Sequence, residues 1–197
     1  MITDKLIERI KQLDNPTVAG IDTSFDYLPE DMKSGVCDFA GATKAVLAFN
    51  KEIIDSICDI VPCVKVQIAY YEMYGLEGMR TFSETLKYAS ERGMLVMTDA
   101  KRNDIGATAE CYAKAYLGET AGGDKAYTAF DSDFLTVNGS LGSDGIKPFL
   151  SKAPNGEKGI FVLVKTSNRS SGELQDMKLE NGKTVYEYMG ALVEEWG

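Results

Sequence analysis

Met94-Leu95-Val96-Met97-Thr98-Asp99-Ala100-Lys101-Arg102-Asn103-Asp104-Ile105-Gly106 is an apolar run of strand length that ends abruptly in charge. The charges fall as Asp-x-Lys-x-x-Asp, at Asp99, Lys101 and Asp104. Side chains alternate along a strand, so Asp99 and Lys101 are expected on the same side. Asp104 falls in the turn that leads into the next helix. In α/β proteins ligands bind beyond the carboxyl ends of the strands. The plainer alternative is a salt-bridged surface turn. The apolar lead-in and the glycine exit favour a catalytic site.

Working outward, strand-length apolar runs alternate with helical patterns. Strands are expected at 17–21, 63–69, 94–98, 134–138 and 159–165. Apolar residues at three- and four-residue intervals predict helices over 39–60, 75–92 and 106–117, a short one over 145–151, and an amphipathic one over 184–196. Gly93 is a helix stop signal, and the stretch 118–124 reads as a surface loop. Strict alternation predicts a parallel sheet with right-handed crossovers. Nearly uniform apolar strands predict burial on both faces. Two α/β architectures fit: an open five-stranded doubly wound sheet, or part of an eight-stranded barrel. No glycine-rich dinucleotide fingerprint follows the first strand, and there is no P-loop.

The chain of 197 residues has the length of one domain or most of one, and 44% hydrophobic content is ample for a core. A net charge of −9 argues against a general nucleic-acid binder. A small anionic substrate stays open, because local field matters more than the total. The N-terminal segment lacks the unbroken apolar core of a signal peptide, and no apolar run approaches the ~18 residues of a membrane span. Cys37, Cys58, Cys63 and Cys111 form no C-x-x-C pair and read as free thiols of a reducing cytoplasm, or as small buried hydrophobes. Histidine is absent. That removes the usual general base, the Ser-His and Cys-His pairs and the commonest metal ligand. Catalysis must run on carboxylates, lysines, hydroxyls and backbone dipoles.

Polar residues stand at every strand's carboxyl end: Asp22; Lys65 and Gln67; Asp99 and Lys101; Asn138; then Lys165, Thr166, Ser167 and Asn168. Together they suggest a ring around a pocket. Lys65, Lys101, Arg102, Lys165 and Arg169 are expected to gather there, concentrating positive potential for a phosphorylated substrate.

The segments Gly20-Ile21-Asp22, Val64-Lys65-Val66-Gln67-Ile68-Ala69-Tyr70-Tyr71-Glu72, Asp99-Ala100-Lys101-Arg102-Asn103-Asp104-Ile105-Gly106-Ala107-Thr108-Ala109, Val137-Asn138 with Leu141-Gly142-Ser143-Asp144-Gly145, and Val164-Lys165-Thr166-Ser167-Asn168 follow in order along the whole chain. In them the sequence resembles the orotidine 5′-phosphate decarboxylases, in their longer bacterial branch. The resemblance implies a TIM (β/α)8 barrel. It also implies a carboxy-lyase that converts orotidine 5′-monophosphate (OMP) to UMP and carbon dioxide in pyrimidine biosynthesis, without metal or organic cofactor. Carried over by position, Lys65, Asp99, Lys101 and Asp104 would form an alternating charged network, with Lys101 as proton donor. Asp22 would bind a ribose hydroxyl, and Ser167 would meet the pyrimidine or carboxylate region. Asp104, Ile105 and Thr108 would reach into a neighbouring subunit's site, which implies a homodimer. No nucleic-acid or membrane partner is expected.

The chain departs from the family pattern at Val66 (proline expected), Asn103 (glycine common), Gly139-Ser140 (Pro-Tyr usual) and Arg169 (proline usual). None touches the charged residues. Rival readings are a magnesium-dependent sugar-phosphate decarboxylase of the same superfamily, a Schiff-base aldolase on Lys165, and a non-catalytic nucleotide-binding protein or inert fragment. About five of eight β/α units are expected in residues 1–197, as the N-terminal part of a single barrel domain, because such barrels run to about 250 residues. These residues alone are expected to be inactive.

Overall fold

The structure is a computed structural model that describes residues 1–152 and 156–197. Helix α1 (Ile2–Leu13) precedes β1 (Val18–Ile21); α2 (Glu30–Lys33) and α3 (Phe39–Ile57) lead to β2 (Cys63–Gln67). Helices α4 (Ala69–Glu72) and α5 (Gly75–Glu91) lead to β3 (Leu95–Arg102). Helix α6 (Gly106–Leu117) and a hairpin of β4 (Thr120–Gly122) and β5 (Lys125–Tyr127) lead to β6 (Phe134–Asn138). Then come α7 (Ser143–Ser151), β7 (Gly159–Leu163), α8 (Gly172–Gln175) and α9 (Val185–Trp196).

The five long strands pair in parallel, in the order β1-β2-β3-β6-β7. A doubly wound sheet reverses its strand order at a switch point. Here the order never reverses, as in a barrel wall, so the first of the two architectures falls and the partial barrel stands. Among the described residues no helix is long and apolar enough to cross a membrane.

Strand alternation sorts the side chains onto two faces. Val64, Val66, Val96, Leu135 and Val137 point one way and are buried with Val46, Ile54, Phe82, Leu86 and Phe149 of the covering helices. Cys63, Met97 and Phe134 point the other way and are buried with Ile2. Helix α1 therefore covers that second face at the strands' amino ends. At the carboxyl ends the same face turns polar and carries Lys65, Gln67, Asp99 and Thr136.

Several boundaries differ from the sequence expectation. Helix α3 stops at Ile57 rather than residue 60: the N–H groups of Ile60 and Val61 both bond Ile57 O, and Pro62 disfavours helix in the residue before it. Strand β2 ends at Gln67 because Ile68 already takes helical angles as the cap of α4. Strand β7 ends at Leu163, since the Thr166 N–H turns to Gln175 Oε1 at 2.9 Å. The expected loop at 118–124 is partly the β4–β5 hairpin, turned by Gly123 with φ +72°. Helix α9 starts one residue after Thr184, which caps it in a box with Glu187.

Candidate active site

Strand β3 does not stop at Thr98, where the charges begin, but continues to Arg102. Its ladder with β6 is broken: Met97 faces Phe134 and Thr98 faces Leu135, and the next pair is Arg102 with Val137. Asp99, Ala100 and Lys101 thus oppose the single residue Thr136. This bulge aims side chains at a strand end. Lys101 takes φ +48°, a left-handed conformation uncommon outside glycine. It does not follow simple strand alternation, yet its ammonium reaches Asp99 Oδ1 at 2.7 Å.

Asp99 is the centre of the cluster, with its side chain only 8% exposed. Its Oδ1 accepts from Lys101 Nζ and from Thr136 Oγ1 at 2.8 Å. Its Oδ2 accepts from Lys65 Nζ and from Gln67 Nε2, both at 3.0 Å. Lys65 Nζ also meets Asp22 Oδ1 at 3.3 Å. An ionic chain Asp22–Lys65–Asp99–Lys101 therefore runs across the ends of β1, β2 and β3. Burial alone would raise the Asp99 pKa, but hydrogen bonds from Lys101, Thr136 and Lys65, with the charge of Lys65, hold it below the ordinary carboxylate value. Burial likewise works against the Lys65 ammonium, and Asp99 and Asp22 together hold its pKa above the ordinary lysine value. Both groups are ionised at neutral pH.

Of the residues expected from sequence, Asp22, Lys65, Asp99 and Lys101 come together. Asp104 stands apart: among the described residues, its carboxylate takes only the N–H of Ile105, at 2.9 Å. Ile105 and Thr108 lie exposed at the start of α6. Ser167 is exposed on the loop after β7, which Thr166 ties to Gln175.

The expected gathering of cations is smaller than anticipated. Arg102 turns toward the helices, where it meets Glu72 Oε1 at 2.8 Å and Tyr116 Oη at 3.1 Å. Lys165 is ion-paired with Asp176 and lies over the Tyr186 ring. Arg169 is exposed in a single helical turn.

Gln67 is one of the polar strand ends expected around the pocket, and it reaches Asp99. Thr136 is not among the residues expected from sequence. Its signal is parity: it is a polar residue on an apolar strand, in phase with Asn138 at that strand's carboxyl end.

The departures from the family pattern have local causes. Val66 lies buried on the helix-covered face, away from the cluster. Asn103 Nδ2 donates to Ser140 Oγ at 3.0 Å, so two departures meet each other. At Gly139 a Cβ would stand 3.0 Å from Met189 Sδ, 3.1 Å from Val162 Cγ1 and 3.3 Å from Trp196 Cζ3, so a larger residue there needs these side chains to give by a few tenths of an ångström.

The family profile described as "Orotidine 5'-phosphate decarboxylase / HUMPS family" matches residues 38–195. The whole chain is 43% identical to the orotidine 5′-phosphate decarboxylase of Clostridium perfringens and spans 64% of that protein's length. It is 39% identical to that of Clostridium acetobutylicum, again over 64% of the relative. The structure is similar to that of Leishmania donovani OMP decarboxylase, with a TM-score of 0.76 at 26% identity, over 99% of this chain and 66% of that one.

Proposed function

The chain belongs to the orotidine 5′-phosphate decarboxylase / HUMPS family, and from that premise we propose that this protein converts OMP to UMP and carbon dioxide. The observation that carries the proposal is the ionic chain Asp22–Lys65–Asp99–Lys101, with all four members on neighbouring strand ends.

Breaking the bond from pyrimidine C6 to the carboxylate leaves an electron pair on C6 that the ring delocalises poorly. Lys101 supplies a positive charge beside that carbon and then its proton, forming the C6–H bond. The neutral amine regains a proton from solvent. Proton donation of this kind contributes roughly 10²–10⁴-fold, and fixed charges and remote binding energy supply the rest. Asp99 holds Lys101 and lies next to the departing carboxylate. Lys65 balances Asp99 and links it to Asp22, which takes a ribose hydroxyl. Ser167 meets the pyrimidine or the carboxylate region.

The protein works as a homodimer in the cytoplasm, with Asp104, Ile105 and Thr108 completing the partner's site. The separation of Asp104 from the Asp99 cluster supports this sharing. The reaction uses neither metal nor organic cofactor, and Lys165 forms no Schiff base; its pairing with Asp176 supports the latter.

The test uses the full-length protein. Lys101→Ala abolishes OMP turnover and keeps partial binding of a UMP analogue. Mixing Lys101→Ala with Asp104→Ala restores up to about a quarter of the activity, because a hybrid dimer has one intact site. Near-normal turnover by Lys101→Ala would overturn Lys101 as donor. Demonstrated heterodimers without recovery would refute the shared site. Loss of activity on chelation would favour the magnesium-dependent rival, and a borohydride-trapped adduct at Lys165 the aldolase.

A further inference from the structure

We propose that Thr136 is the positioning residue for Lys101 and Asp99, an assignment that rests on the decarboxylase reading. Its single hydroxyl sets the backbone of one and the carboxylate of the other.

Between Thr98 and Arg102 the β3–β6 ladder is interrupted, and three residues of β3 oppose Thr136 alone. The N–H groups of Ala100 and Lys101 both turn to the Thr136 side chain and bond Oγ1 at 3.0 Å each. The same hydroxyl donates to Asp99 Oδ1 at 2.8 Å. A hydroxyl offers one proton and two lone pairs, so all its capacity is used on three consecutive residues. Thr136 is buried, with 7% exposure.

The two accepted bonds fix the two peptides that flank Ala100, from Asp99 to Ala100 and from Ala100 to Lys101. There the backbone passes into the left-handed region at Lys101. A non-glycine residue persists in that region only where its surroundings impose it. The donated bond turns Asp99 Oδ1 to the place where Lys101 Nζ also finds it. The hydroxyl thus couples the height of the lysine stem to the angle of the carboxylate. Displacement of a reacting group by about 1 Å costs on the order of 10²-fold in rate. Thr136 itself touches neither substrate nor the proton in flight.

Thr136→Val keeps the shape and removes the hydroxyl; Thr136→Ser keeps the hydroxyl; Thr136→Ala removes the hydroxyl together with the methyl. In the full-length protein, OMP turnover is measured with a carbon-13 carboxyl titration of Asp99. Thr136→Val loses about 10²-fold in kcat with little change in KM, and its Asp99 midpoint moves up toward the ordinary carboxylate range. Thr136→Ser behaves as wild type in both. If Thr136→Val does not fold, Thr136→Ala carries the same expectation.

Unchanged kcat and an unchanged Asp99 midpoint in the hydroxyl-free variant would overturn the assignment. So would equal losses in the serine and hydroxyl-free variants. A wild-type protein that leaves OMP untouched would defeat the decarboxylase reading instead. The Asp99 titration still decides whether Thr136 sets the carboxylate, because it needs no turnover.

Discussion

Asp99 takes two hydrogen bonds on each carboxylate oxygen, from Lys101 and Thr136 on Oδ1 and from Lys65 and Gln67 on Oδ2. The charged groups facing it are Lys101 on its own strand and Lys65 on β2, with Asp22 behind Lys65; β6 presents only the Thr136 hydroxyl. The folded pKa lies below the unfolded one, so folding favours the carboxylate. Its stabilising contribution is complete above the unfolded value, about 3.9, and is lost as pH falls through the folded value. Asp99→Asn therefore lowers the melting temperature most near neutrality. The gap to wild type narrows below about pH 4. A gap that stays constant through acid melts would show that Asp99 contributes shape rather than charge. The Asp-x-Lys spacing marked both residues in the sequence. It concealed the bulge, because a three-against-one ladder is a property of two strands and only one of them carries the motif.

Helices α3 and α4 support the strand ends from behind. Asn50 of α3 is fully buried; its Oδ1 accepts from Thr23 Oγ1 at 2.7 Å, and its Nδ2 donates to Tyr71 Oη at 2.8 Å. Thr23 directly follows Asp22, so the orientation of α4 bears on the end of β1. Helix α5 approaches α4 closely at Gly78, where a Cβ would lie 1.8 Å from the Tyr71 carbonyl oxygen. Backbone cannot yield as a flexible side chain does. Gly78→Ala is expected to cost about 2–3 kcal/mol in a urea melt, and a melt unchanged from wild type would show that the helices separate freely. Periodicity alone located α5 and α6 closely, because their apolar stripes are long and end in glycine or strand signals. The hairpin at 120–127 was missed. Its residues are all exposed, so no burial pattern marked them, although Gly122-Gly123-Asp124 held the turn.

At the scale of the molecule, the alternation of strands and helices left two architectures open, and only the strand order separated them. That order was not legible, because any order satisfies the same period. The resemblance to the family selected the barrel, and the unreversed sheet bears it out. The covering of the sheet's second face by α1 was likewise hidden. Ile2 is an ordinary apolar residue in sequence, and it is 3% exposed here against Cys63, Met97 and Phe134. That arrangement supplies a built-in clock for breathing motions. The Cys63 thiol is fully buried, and burial, helped by the charge of Asp133, pushes its pKa up to about 12, while Cys37 and Cys111 are exposed. A disulfide reagent should modify those two at once and reach Cys63 only when α1 lifts. Ile2→Ala should speed that slow phase about tenfold for each 1.4 kcal/mol of docking lost, ahead of any global melting. A slow phase that keeps pace with complete unfolding instead would mean that the N-terminal helix and the sheet open as one unit. Either way, a dye and a stopwatch read the lid-like motion of one helix without a label having to be engineered.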